Sequence, residues 1–162
     1  MDLDKALLGA AQVAALANTE ILNIHTWTTR GFTDPYHTKA RVRRGGGRPR
    51  SYSVRDALRF HLMARLHSQY RTPLPQGLRI CQSVFAEENF NPQRAGYLVV
   101  QEGPSGNGEV RWYEDLKTLG QHLAGEPVSL VINVRQILDQ VVTAAREFLV
   151  ETHLLRENIG DR

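Results

Sequence analysis

Apolar side chains recur at helical spacing twice within the first thirty residues of the chain. Residues 8–17 and 21–30 each place their apolar positions on one face, which predicts two short helices. These faces consist of Val13, Leu16 and Ala17 in the first segment, and of Ile21, Ile24, Trp27 and Thr28 in the second. Residues 18–20, Asn-Thr-Glu, favour a turn between them, and Gly31 suits the left-handed position after a helix. The pattern predicts a helix-turn-helix.

A third helix is predicted to begin just after Ser53. Ser53 and Asp56 have the spacing of a capping box, with Asp in place of the usual Glu. The apolar stripe that follows, at steps of three and four, consists of Val54, Ala57, Leu58, His61, Leu62 and Leu66. Arg55, Arg59 and Arg65 lie off this stripe, which makes the first two candidates for phosphate contacts.

Strand and helix patterns alternate in the second half of the chain. Residues 72–75, Thr-Pro-Leu-Pro, form a rigid connector and the predicted module boundary. Beyond it we expect helices over 77–88 and 115–124, strands over 97–100, 110–113 and 128–133, and a hairpin turn over 103–108.

The last predicted helix, residues 134–157, alternates apolar steps of four and three, the spacing of a coiled-coil seam. Val142 and Leu149 widen this apolar face. A helix this apolar must be buried on its own domain or on a second copy of the chain. The residues predicted to pair two copies are Val134, Leu138, Val141, Ala145, Phe148 and Leu155.

Charge is distributed unevenly along the 162 residues, although the net charge is only +3. Residues 1–72 contain 12 Lys and Arg against 5 Asp and Glu, a balance of +7, whereas residues 73–162 contain 8 against 12, a balance of −4. A basic N-terminal half is typical of a module that binds a polyanion. The acidic second half suggests a different role for that part.

The basic excess is concentrated between Lys39 and Arg50, where six basic residues and three consecutive glycines occur without an acid. Such a segment is either a disordered basic linker or a wing that contacts the phosphate backbone. Tyr52 and the helix cap at Ser53 tie its end to predicted structure, which favours a wing, ordered either before or only upon DNA binding. Residues 47–49, Gly-Arg-Pro, also match the core of an AT-hook, a minor-groove element.

The order helix, turn, helix, Arg-Gly, basic loop, Tyr, helix resembles the MerR-type winged helix-turn-helix family over about 60 residues. The positions that carry the resemblance are 13–17, Ile24, Trp27, 30–32, Arg50, Tyr52 and 56–66. The chain departs from the family pattern at Asn18, where a turn glycine is common, and in the loop 33–49, which is longer than the usual wing. Small subunits of lambda-type phage terminases, which share this winged fold, are the nearest alternative.

The predicted fold is α+β and mainly helical. The resemblance implies a winged helix-turn-helix domain over 1–72, with its wing at 33–52. The strand and helix patterns of 73–162 predict an α+β dimerisation module, which departs from the family, since many of its members have only a dimerising helix. The implied function is that of a homodimeric, sequence-specific transcriptional regulator of bacterial or phage origin, with the second helix in the major groove of double-stranded DNA. A phage DNA-packaging subunit is the alternative. The predicted DNA contacts are Leu22, Asn23, His25, Thr26, Thr29, Arg30, Lys39, Arg41, Arg43, Arg44, Arg48, Arg50, Tyr52 and Arg55.

Other function classes find less support in the sequence. Tyr97, Trp112 and Tyr113 could line a small-molecule pocket, although a plain sheet core explains them without a ligand. No Ser-His-Asp set, paired carboxylates or phosphate loop occurs, so an enzyme is not expected. The single cysteine, Cys81, excludes an internal disulfide or a Cys-based zinc site, and the six histidines lack ligand spacing, so neither a metal nor a cofactor is expected. No apolar segment approaches the roughly 20 residues that cross a bilayer, so a cytoplasmic protein is expected.

Overall fold

The computed structural model of the protein describes residues 3–4, 8–31, 50–85, 90–93, 96–102, 108–124 and 130–160. Its elements are β1 (Leu8–Gly9), α1 (Ala10–Leu16), α2 (Ile21–Thr29), β2 (Ser51–Tyr52), α3 (Val54–Ser68), α4 (Leu74–Val84), β3 (Tyr97–Glu102), β4 (Gly108–Tyr113), α5 (Leu116–Leu123), β5 (Leu130–Asn133) and α6 (Val134–Gly160). The predicted α+β, mainly helical class is confirmed.

The chain divides into two compact units, Met1–Ala64 with Gln140–Arg162, and Arg65–Asp139. The unit boundaries therefore fall within α3 and α6 rather than at a connector. This grouping differs from the sequence-based division at residue 72. That division, into a DNA-binding domain and a dimerisation module, stays a prediction.

The first unit contains a short ladder that the apolar pattern does not predict. β1 pairs antiparallel with β2, with Leu8 opposite Tyr52 and Gly9 opposite Ser51. Because residues 8 and 9 are extended, α1 begins at Ala10 and not at residue 8. The Gln12 side chain accepts a hydrogen bond from the Gly9 backbone N–H at 2.8 Å, which satisfies one of the donors at the start of the helix.

The predicted capping box at the start of α3 is confirmed. The Asp56 backbone N–H donates to Ser53 Oγ at 3.1 Å, and the Ser53 backbone N–H donates to Asp56 Oδ2 at 3.0 Å. Aspartate closes this box although its side chain is one methylene shorter than glutamate. The Ser53 hydroxyl also donates a hydrogen bond to Asp56 Oδ2, at 3.0 Å, so its proton is used within the box. Both residues are buried.

A three-stranded antiparallel sheet in the order β4-β3-β5 organises the second unit. The register of the predicted hairpin places Tyr97 opposite Tyr113 and Val100 opposite Val110, and its predicted turn falls largely outside the described residues. β5 pairs with the other edge of β3, so the central strand carries the buried Leu98 and Val99. The strand pattern of the sequence is confirmed.

The two short helices of the second unit begin differently, α4 at a proline-containing first turn and α5 at a capping carboxylate. α4 starts at Leu74, three residues before the predicted start, because proline is compatible with a first helical turn and Pro75 therefore does not delay the helix. α5 is capped by Asp115, whose Oδ1 accepts from the backbone N–H groups of Lys117 and Thr118, both at 2.8 Å. The hydrogen bonds from Thr118 above all hold the pKa of this carboxyl below its ordinary value.

α6 is the longest helix, and its first half is buried within the chain. The predicted seam positions Val134, Leu138, Val141 and Ala145 are all buried, as is Ile137, which the heptad pattern leaves out. Gly96 fixes the start of the helix, because its carbonyl accepts from the Val134 backbone N–H at 2.9 Å. A Cβ at position 96 would lie 2.3 Å from the backbone oxygen of Tyr113, so only glycine fits there.

Candidate nucleic-acid interface

α1 and α2 are joined by a tight turn over residues 17–20. The Ala17 backbone N–H donates to Val13 O at 2.8 Å, and the Thr19 N–H donates to Ala14 O at 3.0 Å, which closes the end of α1. Asn18 occupies the left-handed region, with φ of 50°. Asparagine is among the few side chains that adopt this conformation readily, which explains how it replaces the glycine common at such turns.

One face of α2 is buried and the opposite face is exposed. Ile24 and Trp27 are buried, as their helical spacing predicts. Ile21 is 45% exposed, so its predicted place on the buried face is wrong. Ile21 is the first residue of α2 and follows the exposed Glu20 directly, so the exposed part of the chain extends into the first turn of the helix.

The exposed face of α2 is formed by Leu22, His25 and Thr29, which follow one another at steps of three and four. Arg30, directly after the helix, is also exposed. Asn23 and Thr26, which were predicted to join this surface, are half-buried at its edge. Most of the helix positions predicted to contact DNA therefore lie together on one accessible surface. We call Leu22, His25, Thr29 and Arg30 the α2 face.

Several polar groups beside this face are already engaged within the helix. The hydroxyl of Thr28 donates to Ile24 O at 2.7 Å, and that of Thr29 donates to His25 O at 2.8 Å. The Asn23 amide Nδ2 donates to Thr19 Oγ1 at 3.0 Å, which ties α2 to its preceding turn. These bonds hold the side chains in fixed orientations and use hydroxyl protons that would otherwise be offered outward.

An aromatic cluster holds the buried side of α2. Trp27 stacks on Phe60 of α3, and Tyr52 of β2 meets the same ring edge-on. The Tyr52 hydroxyl lies 3.3 Å from Thr28 Oγ1, and it is the donor here because the Thr28 proton goes to Ile24. Tyr52 is fully buried, so the structure assigns it to the core and not to the DNA-facing surface on which it was predicted.

The arginines of α3 are placed differently from the sequence expectation. Arg55 is 8% exposed and Arg59 is 6% exposed, although both were predicted to lie off the apolar stripe as candidate phosphate contacts. Arg55 donates from Nε and Nη2 to the two carboxylate oxygens of Asp4, at 2.7 and 2.9 Å. Nη1 of Arg59 lies 3.6 Å from Oδ1 of Asp56 in the same helix. These guanidinium groups are thus committed inside the fold and do not form a phosphate-facing row.

A buried hydrogen bond connects α3 to the end of α1. His61 Nδ1 lies 2.7 Å from Leu16 O, and because a carbonyl only accepts, the ring donates through this nitrogen. The bond satisfies a carbonyl near the end of α1 that has no partner within its own helix. The sequence pattern placed His61 on the apolar stripe but did not predict this partner.

The predicted wing lies mostly outside the described residues. Lys39, Arg41, Arg43, Arg44 and Arg48 belong to that part of the chain, as does the match to an AT-hook. Its last residue before the ladder, Arg50, is described and half-buried, and β2 follows it at once. The basic segment is therefore joined at its C-terminal end to a strand that pairs with β1.

The predicted dimerisation seam divides into two parts. Its first four members are buried within the chain itself, so they offer little surface to a second copy. Phe148 is half-buried and Val150 is exposed, whereas the side chain of Leu155 lies outside those described. Pairing through α6 stays a prediction, and it would depend on the C-terminal part of the helix.

Tyr97, Trp112 and Tyr113 do not share one surface of the sheet. Tyr97 and Tyr113 are directly opposite in the register and lie on one face, and Trp112 lies on the other, because adjacent strand residues alternate. The Tyr113 ring packs against His122 at a centroid distance of 5.1 Å, and His122 Nε2 lies 3.2 Å from Gln101 Nε2. The three rings therefore do not line one pocket, and all three are half-buried rather than part of the buried core.

No model of a known protein family matches the chain, and no curated protein matches it. Within the described residues, no three His, Cys, Asp or Glu side chains are grouped so as to hold a metal ion. Of the helices in the described ranges, none combines the length and the apolar content needed to cross a bilayer.

Proposed function

We propose that the protein is a sequence-specific DNA-binding protein with a winged helix-turn-helix, which inserts α2 into the major groove. The α2 face is the observation that supports this most directly. It is accessible on one side of a helix whose other side is held by Trp27 and Phe60. A recognition helix needs both properties, because its outward side chains contact base edges while its inward side chains fix its angle.

The charge distribution supports DNA as the partner. Residues 1–72 carry a balance of +7, and one of these cations, the exposed Arg30, lies at the end of the α2 face. The pairs Arg55–Asp4 and Arg59–Asp56 are neutralised internally, but they remove equal numbers of both signs and leave this balance unchanged. The basic segment 39–50 leads directly into β2, so we propose that it contacts the backbone as a wing.

Selection from a library of short duplexes with random central sequence tests the proposal. The full chain is incubated with the library at about 0.15 M salt, and the retained duplexes are sequenced. We expect one sequence motif to be enriched. Retention of no duplex, or of all duplexes equally, would show that the proposed sequence-specific function is wrong.

The contribution of the basic segment is measured by the salt dependence of binding to the enriched duplex. If about six of its charges contact phosphates, log K falls with log salt at a slope near −5 per protomer. The double variant Arg48→Ala/Arg50→Ala should reduce this slope by about 2. Arg79→Ala/Arg146→Ala removes the same charge from exposed positions elsewhere and should leave the slope unchanged.

The same selection separates a transcriptional regulator from a DNA-packaging subunit. A regulator that acts in the cytoplasm as a homodimer should enrich an inverted repeat and show the mass of a dimer in light scattering. A site without two-fold symmetry, together with the mass of a larger ring, would instead favour the packaging role. Among the large apolar side chains described in α6, Val150 is exposed and could take part in pairing copies.

A further inference from the structure

We infer that the protein recognises thymine methyl groups in the major groove through Leu22, an inference that rests on the proposed DNA-binding function. Leu22 is 68% exposed, the highest value among the large apolar side chains in the described part of the chain. The exposed Ile21 precedes it, so the first turn of α2 presents two branched aliphatic side chains to solvent. A single exposed leucine needs no explanation, but an adjacent pair at the start of this helix does.

The neighbouring polar groups restrict what else the face can recognise. Thr29 gives its hydroxyl proton to His25 O, and the Asn23 amide donates to Thr19. Thr29 therefore offers an acceptor oxygen and a methyl group outward, and Asn23 is tied to the turn. The start of α2 exposes Ile21 and Leu22 directly after the acidic Glu20, in a part of the chain whose overall charge balance is +7.

The major groove contains one apolar group, the C5 methyl of thymine. The N-terminal residues of a recognition helix are the ones that contact base edges, and Leu22 is the second residue of α2. The charge balance of +7 over residues 1–72 suits a phosphate backbone, which favours DNA over an apolar protein partner as the occupant of this surface. The geometry therefore matches Leu22 to thymine.

Replacement of thymine by deoxyuridine tests this match, because it removes only the methyl group. The duplex enriched in the random selection is synthesised in two forms, with thymine and with deoxyuridine, and the affinity of the full chain for each is measured by fluorescence anisotropy. We expect the deoxyuridine duplex to bind roughly four-fold more weakly for each methyl group buried against Leu22.

Substitution of the leucine then assigns the effect to this side chain. Leu22→Ala should bind both duplexes equally, with an affinity near that of the unchanged protein for deoxyuridine DNA. Leu116→Ala is the matched control, since Leu116 is 65% exposed and near the start of α5 in the second unit. It should keep the full preference for thymine.

Two outcomes would overturn the inference while leaving DNA binding intact. In one, the unchanged protein binds the thymine and deoxyuridine duplexes equally. In the other, Leu22→Ala keeps the thymine preference, which would assign the methyl contact to a different residue. If no duplex is enriched at all, the proposed function itself fails, and the two failures are therefore distinguishable.

Discussion

Trp27 stacks on Phe60 with ring centroids 6.1 Å apart and ring planes 15° apart. The same Phe60 ring receives the edge of Tyr52, at a centroid distance of 5.8 Å and an interplanar angle of 78°. One side chain of α3 therefore contacts both α2 and the strand that ends the basic segment. This relationship joins the two parts of the chain that are proposed to contact DNA.

We expect Phe60→Ala to lower the free energy of unfolding by about 3–5 kcal/mol, because it removes a buried ring and leaves a cavity. Phe60→Leu, which keeps most of the volume but loses the aromatic contacts, should cost less. Urea unfolding, followed by the fluorescence of Trp27 in a Trp112→Phe background, measures the free energy of unfolding of the first unit. A cost near zero for Phe60→Leu would show that the aromatic geometry contributes nothing beyond volume, and equal costs for the two variants would contradict the cavity argument.

The capping box predicts a graded response at the start of α3. Ser53→Ala should cost about 1 kcal/mol, since it removes the acceptor for the Asp56 N–H. Asp56→Ala should cost about 3 kcal/mol or more, because it also removes a buried carboxylate that lies 3.6 Å from Nη1 of the buried Arg59. Denaturant titration gives both values. Ser51→Ala, an identical change at an exposed position two residues earlier, should stay within about 0.5 kcal/mol, and a larger loss there would contradict the assignment to the cap.

Two glycines with open space around them should respond to alanine in opposite directions. Gly31 has φ of 75°, so Gly31→Ala should destabilise the protein by about 1 kcal/mol although no atom lies within 4 Å of the added Cβ. Gly120 lies inside α5 with similar space, and Gly120→Ala should stabilise it by about 0.5–1 kcal/mol. Thermal unfolding gives the sign of each change. A stabilising Gly31→Ala would show that the left-handed conformation is not required after α2.

The first turn of α5 should depend on pH through Asp115. Hydrogen bonds from Thr118 lower the pKa of this carboxyl below 3.8, so its stabilising effect is present above that value and is lost as the pH falls through the lowered pKa. A titration followed by the side-chain carboxyl carbon and the Thr118 amide in NMR spectra should show one common midpoint below 3.8. Asp115→Asn keeps an acceptor without the charge and should abolish the transition at the Thr118 amide. Its persistence there would assign the transition to another group.

Periodicity located the helices of the first unit and the buried face of α2 well, because both follow from spacing along one element. Ile24, Trp27 and the Ser53–Asp56 box lie where the sequence places them. The ladder between Leu8 and Tyr52 was missed, since it joins residues more than forty positions apart through only two pairs. No local pattern indicates such a contact.

The burial of the arginines of α3 was also not predicted from the spacing of residues along the helix. Arg55 and Arg59 are charged and lie off an apolar stripe, which by spacing alone indicates a solvent-facing side. Both are nevertheless buried beside a carboxylate. Asp56 lies three positions from Arg59 on the same helix, whereas Asp4, the partner of Arg55, is remote in sequence and could not be located from local spacing. Tyr52 was likewise predicted to face DNA, although Phe60 and Thr28 hold it in the core.

By itself, the sequence determined the helical class, the capping box, the left-handed Gly31 and the spacing of the α2 face, since each depends on residues within a few positions of one another. Only the tertiary structure decided which charges remain available to a partner. Arg30 is exposed, whereas Arg55 is paired with Asp4 across 51 positions of the chain. Burial of a charge depends on the partner that the fold brings to it, and that partner cannot be located from the spacing of one helix.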